Sequence, residues 1–231
     1  PQAIAVRKQS PSAACPRRRP VESNPSLRMS APSEQAIGEV IASSTRQFTA
    51  EVYDEAARPP FGSWVRVRPA SGGELYALVS HIEVGSYDGS RNAVALGLSA
   101  EERQREMPMV QELLRTTLRA QVLACRTGGP GARIRQTLPP HPPDIHDFVH
   151  PCTAAHIRAM GPPYDFLRTL VQHPDPAVPV DDLLVAVLRR VGDAHADPAE
   201  RRTALVGAGR ALSRLLDDDH ERLQSILRRV A

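Results

Sequence analysis

The sequence predicts an α+β protein: a small closed antiparallel β-barrel with a helical insertion, followed by a C-terminal helical bundle. Three observations predict it. Residues 37–98 alternate apolar and polar side chains in short runs separated by turn residues, the pattern of strands with one buried face. Pro139-Pro140-His141-Pro142-Pro143 then imposes stiff, extended backbone, because each proline fixes its own φ and restricts the residue before it. Beyond it, apolar residues recur at helical spacing.

The barrel elements follow in order. Phe48, Ala50 and Val52 alternate with Thr49, Glu51 and Tyr53, and Val65 and Val67 alternate with Trp64, Arg66 and Arg68. Thr45-Arg46 predicts a tight hairpin between the first two strands. Pro59-Pro60 with Gly62, Gly72-Gly73 and Asp88-Gly89 mark later turns. Leu75–Val79 and Val122–Cys125 are short apolar runs, consistent with strands buried on both faces. Ser99 with Glu102 three residues later is a capping box, so a helix interrupts the strands. Pro108 breaks or kinks that helix, and Met109, Val110, Leu113, Leu114 and Leu118 carry an apolar stripe after it. Ile134, Gln136 and Leu138 oppose Arg133, Arg135 and Thr137 and predict a closing strand, joined to its predecessor by Gly128-Gly129-Pro130-Gly131. Short strands at this spacing indicate a closed barrel, which leaves no exposed edge.

The succession IGEVIASSTRQFTAEVY, PPFGSWVRV, ELYALVSHIEVGS and AVALGL resembles the HerA–ATP synthase (HAS) barrel. That domain precedes the motor of HerA-type DNA translocases and crowns the ring of rotary ATP synthases. The resemblance is weighted to residues 37–125, and it implies strands, a helix with an internal proline and closing strands in that order. It further implies assembly rather than chemistry. Such barrels contact neighbouring barrels or a partner at one end of the motor ring. The implied partner is a HerA-type ATPase or its nuclease, in DNA repair or translocation, with homo-oligomerisation left open.

The motor itself has no counterpart here. A P-loop needs a lysine after its glycines to reach the β/γ-phosphates, and Lys8 is the only lysine in the chain. The sequence therefore predicts a non-enzymatic adaptor with no cofactor.

Charge distribution refines the reading. The chain carries a net charge of +3. Residues 1–28 hold six of the 29 basic residues and one of the 26 acidic ones, so the remainder carries −2. A near-neutral body argues against nucleic acid as the main ligand. Residues 1–28 are proline-rich, lack apolar periodicity and read as a disordered extension, with Met29 as the native start. They lack the apolar core of a signal peptide. No run approaches the roughly 20 apolar residues of a membrane span. Cys125 and Cys152 suggest no disulfide framework, and the chain reads as cytoplasmic. The expected organisation is an extension over residues 1–28, a barrel over 29–139, a proline-rich linker over 140–152 and a helical domain over 153–231.

The helical domain has its own signatures. Asp197, Pro198 and Glu200 place a cap, a first-turn proline and an N3 glutamate in order. Leu205, Ala208, Leu212, Leu215 and Leu216 form the stripe that follows. Leu183, Leu184, Val187, Leu188 and Val191 form another, and Leu223, Ile226, Leu227 and Val230 a third. A shorter helix from Pro163 turns Phe166, Leu167, Leu170 and Val171 inward. Stripes this broad need partners, so the helices should pack as a bundle.

Two regions carry candidate site residues. Trp64, Arg66 and Arg68 share one strand face, and exposed aromatics beside arginines anchor protein interfaces; they are the predicted partner-binding residues. The alternative for the same face is a nucleic-acid-binding module, and the plain reading is an outer face paired with Glu51 or Glu74. His141, His146, His150, Cys152 and His156 crowd into 16 positions. His146, His150, Cys152 and His156 are the alternative metal ligands or the seat of a minor enzyme. Their spacing matches no finger or ribbon, and Ile145, Phe148 and Val149 suggest a packed strap instead. No GxSxG elbow surrounds a serine.

Overall fold

The computed structural model describes residues 35–70, 72–87, 95–106, 114–128 and 131–230. Six strands close a barrel: β1 (Gly38–Ser43), β2 (Gln47–Val52), β3 (Trp64–Val67), β4 (Glu74–Ser86), β5 (Leu114–Arg126) and β6 (Phe148–Pro151). Their order around the barrel is β1-β2-β5-β4-β3-β6, and all pairs are antiparallel. The predicted α+β class with a closed barrel and helices is what the chain adopts.

The period-2 pattern sorts side chains as expected. Phe48, Ala50, Val65, Val67, Ala77, Val79, Leu118 and Ala120 all point inward and fill the barrel. The predicted hairpin forms around Ser44, whose amide donates to the Gln47 carbonyl at 2.8 Å. Ser99 and Glu102 make the reciprocal capping bonds, 2.7 and 3.2 Å, that open α1 (Ala100–Glu106). Met109, Val110 and Leu113, and the Asp88-Gly89 turn, lie outside the described residues.

Three expectations are corrected. Leu114 and Leu118 do not belong to a helical stripe: they lie on β5, a 13-residue strand that pairs with β4 along its whole length. Cross-strand pairing there outweighs a local spacing that fits either period. The Ile134–Leu138 strand shrinks to a single bridge between Arg135 and Cys125. The closing strand comes instead from the segment expected to be a linker.

That segment is docked along its length. Ser43 donates to the Pro143 carbonyl at 2.6 Å, the His146 amide to Val40 at 2.8 Å and the Ile37 amide to Val149 at 2.8 Å. β6 then lies between β1 and β3, with Val149 fully buried in the barrel. Four residues are too short to show a strand pattern in sequence, and the prolines beside them read as loop. Without β6, the edges of β1 and β3 would stand open.

Five further helices follow: α2 (Ala154–Ala159), α3 (Phe166–Gln172), α4 (Val180–Asp193), α5 (Pro198–Leu215) and α6 (His220–Val230). Asp197 caps α5 by accepting from the Glu200 amide at 2.9 Å, with Pro198 in its first turn. Leu183, Leu184, Val187, Leu188 and Val191 of α4 are all buried. The helices pack on one another and also on the outer face of β3, β4 and β5. Trp64, Tyr76, Leu78, Leu123 and Ala124 share one apolar cluster with them. At Gly62 (φ 73°) a Cβ would lie 2.3 Å from the Ala186 methyl, so only glycine lets this loop approach α4. Gln136 fastens the same junction, donating to the carbonyls of Met160 (2.9 Å) and Gly161 (2.8 Å).

Candidate functional site

The barrel places Trp64 and Arg66 on its outer face, as their alternation with Val65 and Val67 requires. That face is not open to solvent. Trp64 retains 3% of its accessible surface and Arg66 2%. The ring of Phe166 from α3 meets Trp64 edge-on, with centroids 5.2 Å apart and planes at 85°. The expectation that Trp64 and Arg66 form an exposed interface is therefore corrected. Strand alternation distinguishes inside from outside the barrel, but not solvent from a second layer of structure. Only Arg68, two residues on, emerges, with half its side chain exposed.

A charged cluster forms where β3 emerges from under the helices. In register, Arg66 faces Tyr76 across β3 and β4, and Glu74 faces Arg126 across β4 and β5. Antiparallel partners point to the same face, so four polar side chains from three strands converge there with Arg68. Glu74 is the hub. Its Oε1 accepts from Arg68 Nε at 2.7 Å and Arg66 Nη1 at 3.2 Å. Its Oε2 accepts from Tyr76 Oη at 2.6 Å, and Arg126 Nη1 lies 3.3 Å away. The Arg126 guanidinium also sits over the Tyr76 ring, 5.8 Å from its centroid. The turn before Glu74 depends on Gly73 (φ 86°), where a Cβ would stand 2.5 Å from the Arg126 carbonyl oxygen.

Electrostatics follow from this packing. Burial alone would raise the Glu74 pKa. The hydrogen bonds from Tyr76 and Arg68 and the charges of Arg126 and Arg68 outweigh it and hold the carboxyl at about 2. Burial, then the hydrogen bond to Glu74, pushes the Tyr76 phenol upward, so it stays a donor. Burial pushes the Cys152 thiol up to about 12 despite the nearby Arg66 charge. Burial, then the Arg66 charge, lowers His156 and favours its neutral form. A thiol this hard to ionise is poorly suited to nucleophilic attack. Three guanidiniums thus face one carboxylate, leaving an excess of two positive charges. The Nε atoms of Arg66 and Arg126 are buried and have no hydrogen-bond partner among the described residues.

Beside this cluster the end of the barrel opens into a cleft of about 870 Å³ between the β3–β4 turn, the end of β5 and the proline strap. Arg68, Arg126 and Glu74 supply its charge, and Pro69, Leu75, Pro139 and Pro140 its apolar walls.

No family model matches the chain. No curated protein matches it either.

The histidine strap does not converge. His141 lines the cleft, His146 Nδ1 pairs with Glu39 at 3.1 Å, and His150 lies on β6 opposite Arg66. His156 caps its own helix through Thr153. Among the described residues no three His, Cys, Asp or Glu side chains are grouped to hold a metal. The sequence offers Glu51 or Glu74 as partner of an outer arginine face; the structure uses Glu74 and adds Arg126 and Tyr76, which the sequence reading misses. The β4–β5 register would have supplied both, and it was hidden by reading Leu114 and Leu118 as helical.

Proposed function

We propose that this chain is a non-enzymatic adaptor, an accessory barrel that docks on a HerA-type ATPase or its nuclease in the cytoplasm and serves DNA repair or translocation. The resemblance of residues 37–125 to HAS barrels supplies the partner class. The observation that carries a binding role is the proline-walled cleft with two guanidiniums at its base. Its one carboxylate is held by three hydrogen bonds and the Arg126 ion pair, so the cluster is arranged to hold charge rather than to move a proton. Among the described residues no helix is long and apolar enough to cross a membrane, which is compatible with this setting. A second reading, a nucleic-acid module, would use the same arginines. The near-neutral charge of residues 29–231 weighs against it. Affinity purification of the tagged full chain from its native host, read by mass spectrometry, tests the proposal. A HerA-type ATPase or associated nuclease among the specific partners is expected. Nanomolar binding to DNA at physiological salt, with no such partner, would replace the adaptor by the nucleic-acid module.

A further inference from the structure

The cleft at the barrel end has more positive than negative charge among its lining side chains. Its two lining arginines, Arg68 just past β3 and Arg126 at the end of β5, both lean on Glu74. Three hydrogen bonds, from Arg66, Arg68 and Tyr76, and the Arg126 ion pair already surround that one carboxylate, whose single negative charge cannot balance three guanidiniums. The Arg126 Nε proton is left unmatched among the described residues, and half of the Arg68 side chain faces the opening. Asp147, which reaches Ala70 on the same β3–β4 turn, is taken up by the backbone amides of Asp144 and Ala70. Cys152 and His156 are uncharged at neutral pH for the reasons given above; His141 lines the cleft and His150 lies opposite Arg66. An excess of positive charge in a partly desolvated cleft favours an incoming oxyanion.

The walls narrow the choice. Pro69, Pro139 and Pro140 have no N–H to offer, so they provide apolar contact and the arginines provide the polar recognition. A peptide fits such a lining, with its carboxylate on the guanidiniums and its aliphatic atoms on the prolines. A nucleic-acid backbone would want a broad basic surface instead, and the body of this chain is near neutral. We propose that the Arg68–Arg126 cleft receives an aspartate or glutamate carboxylate from an acidic segment of a protein partner. This rests on the adaptor reading and names the chemistry by which the partner is gripped.

The test is fluorescence anisotropy of a fluorescein-labelled hexaglutamate peptide titrated with the full chain, and hexaglutamine serves as the control. Saturable binding of hexaglutamate alone is expected, weakening as sodium chloride is raised. Arg68→Gln should weaken it about tenfold; the variant also loses its bond to Glu74, so its melting temperature should fall slightly while its circular dichroism stays native. Glu74→Gln removes the internal competitor and should tighten binding. Should that variant fail to fold, Arg68→Gln carries the test by itself. Equal affinity of wild type and Arg68→Gln, or no saturable binding, would overturn the proposal. So would displacement of the peptide by inorganic phosphate or a DNA oligonucleotide at a lower concentration than unlabelled hexaglutamate requires. Because the probe is a synthetic peptide, a negative titration beside successful recovery of the ATPase sinks the cleft assignment and leaves the adaptor standing.

Discussion

Changing Phe166 to alanine tests how barrel and helices are joined. Phe166 is 1% exposed and belongs to the cluster shared by α3, α4 and the outer face of β3. Truncating a buried phenylalanine costs about 3–5 kcal/mol. Of this, the edge-on contact with Trp64 accounts for about 0.5–1.5 kcal/mol. Against a typical total stability of about 5–15 kcal/mol, the loss is large. Trp64 is the only tryptophan, so its emission reports this junction alone, and helix content by circular dichroism reports α2–α6. In urea both signals should move together, with the variant's midpoint lowered by an amount matching that loss and the slope unchanged. Emission of the native protein should be that of a buried indole. A water-exposed Trp64 spectrum, or a Trp64 transition indifferent to Phe166→Ala, would refute a barrel face sealed by helices.

Three further outcomes follow from the same packing. Val149→Asp puts a charge into the barrel interior and should cost several kcal/mol, opening the chain to protease near Pro139–Pro143; the wild type should resist there, and equal cutting of both would show that β6 does not close the barrel. Glu74 has its pKa held at about 2 against an ordinary value of 4.5, so the stability it contributes is complete above pH 4.5 and is lost as pH falls toward 2. Glu74→Gln should flatten the acid slope of the melting temperature in that window, and an unchanged slope would mean the carboxylate is not held as described. His156 is lowered from 6.5, so its unfolded form takes up a proton first and acid begins to cost stability below that value; His156→Gln should remove the early part of the decline, and a decline unaltered by the substitution would contradict this.

Much of the barrel was legible from sequence because its first strands bury one face, and period 2 then reports directly on packing. Phe48, Ala50, Val52, Val65 and Val67 all point as their spacing requires. The helices were legible from their stripes and from the Asp197 cap. What stayed hidden depended on contacts between distant segments. β6 has four residues and becomes a strand only because β1 and β3 leave it a slot. Trp64 looked exposed because alternation cannot foresee that α3 covers the outer face. The Arg66–Arg68–Glu74 association was half visible, since all three lie on one hairpin. Arg126 arrives through the β4–β5 register, which no local pattern in residues 114–126 fixes.

The adaptor claim is met most directly by mixing the purified full chain with a purified HerA-type ATPase from the same host and weighing the products by size-exclusion chromatography with light scattering. The account predicts a complex heavier than the ATPase ring alone, formed without DNA and weakened by Arg68→Gln. Separate elution of the two proteins at every ratio, with or without DNA, would contradict it.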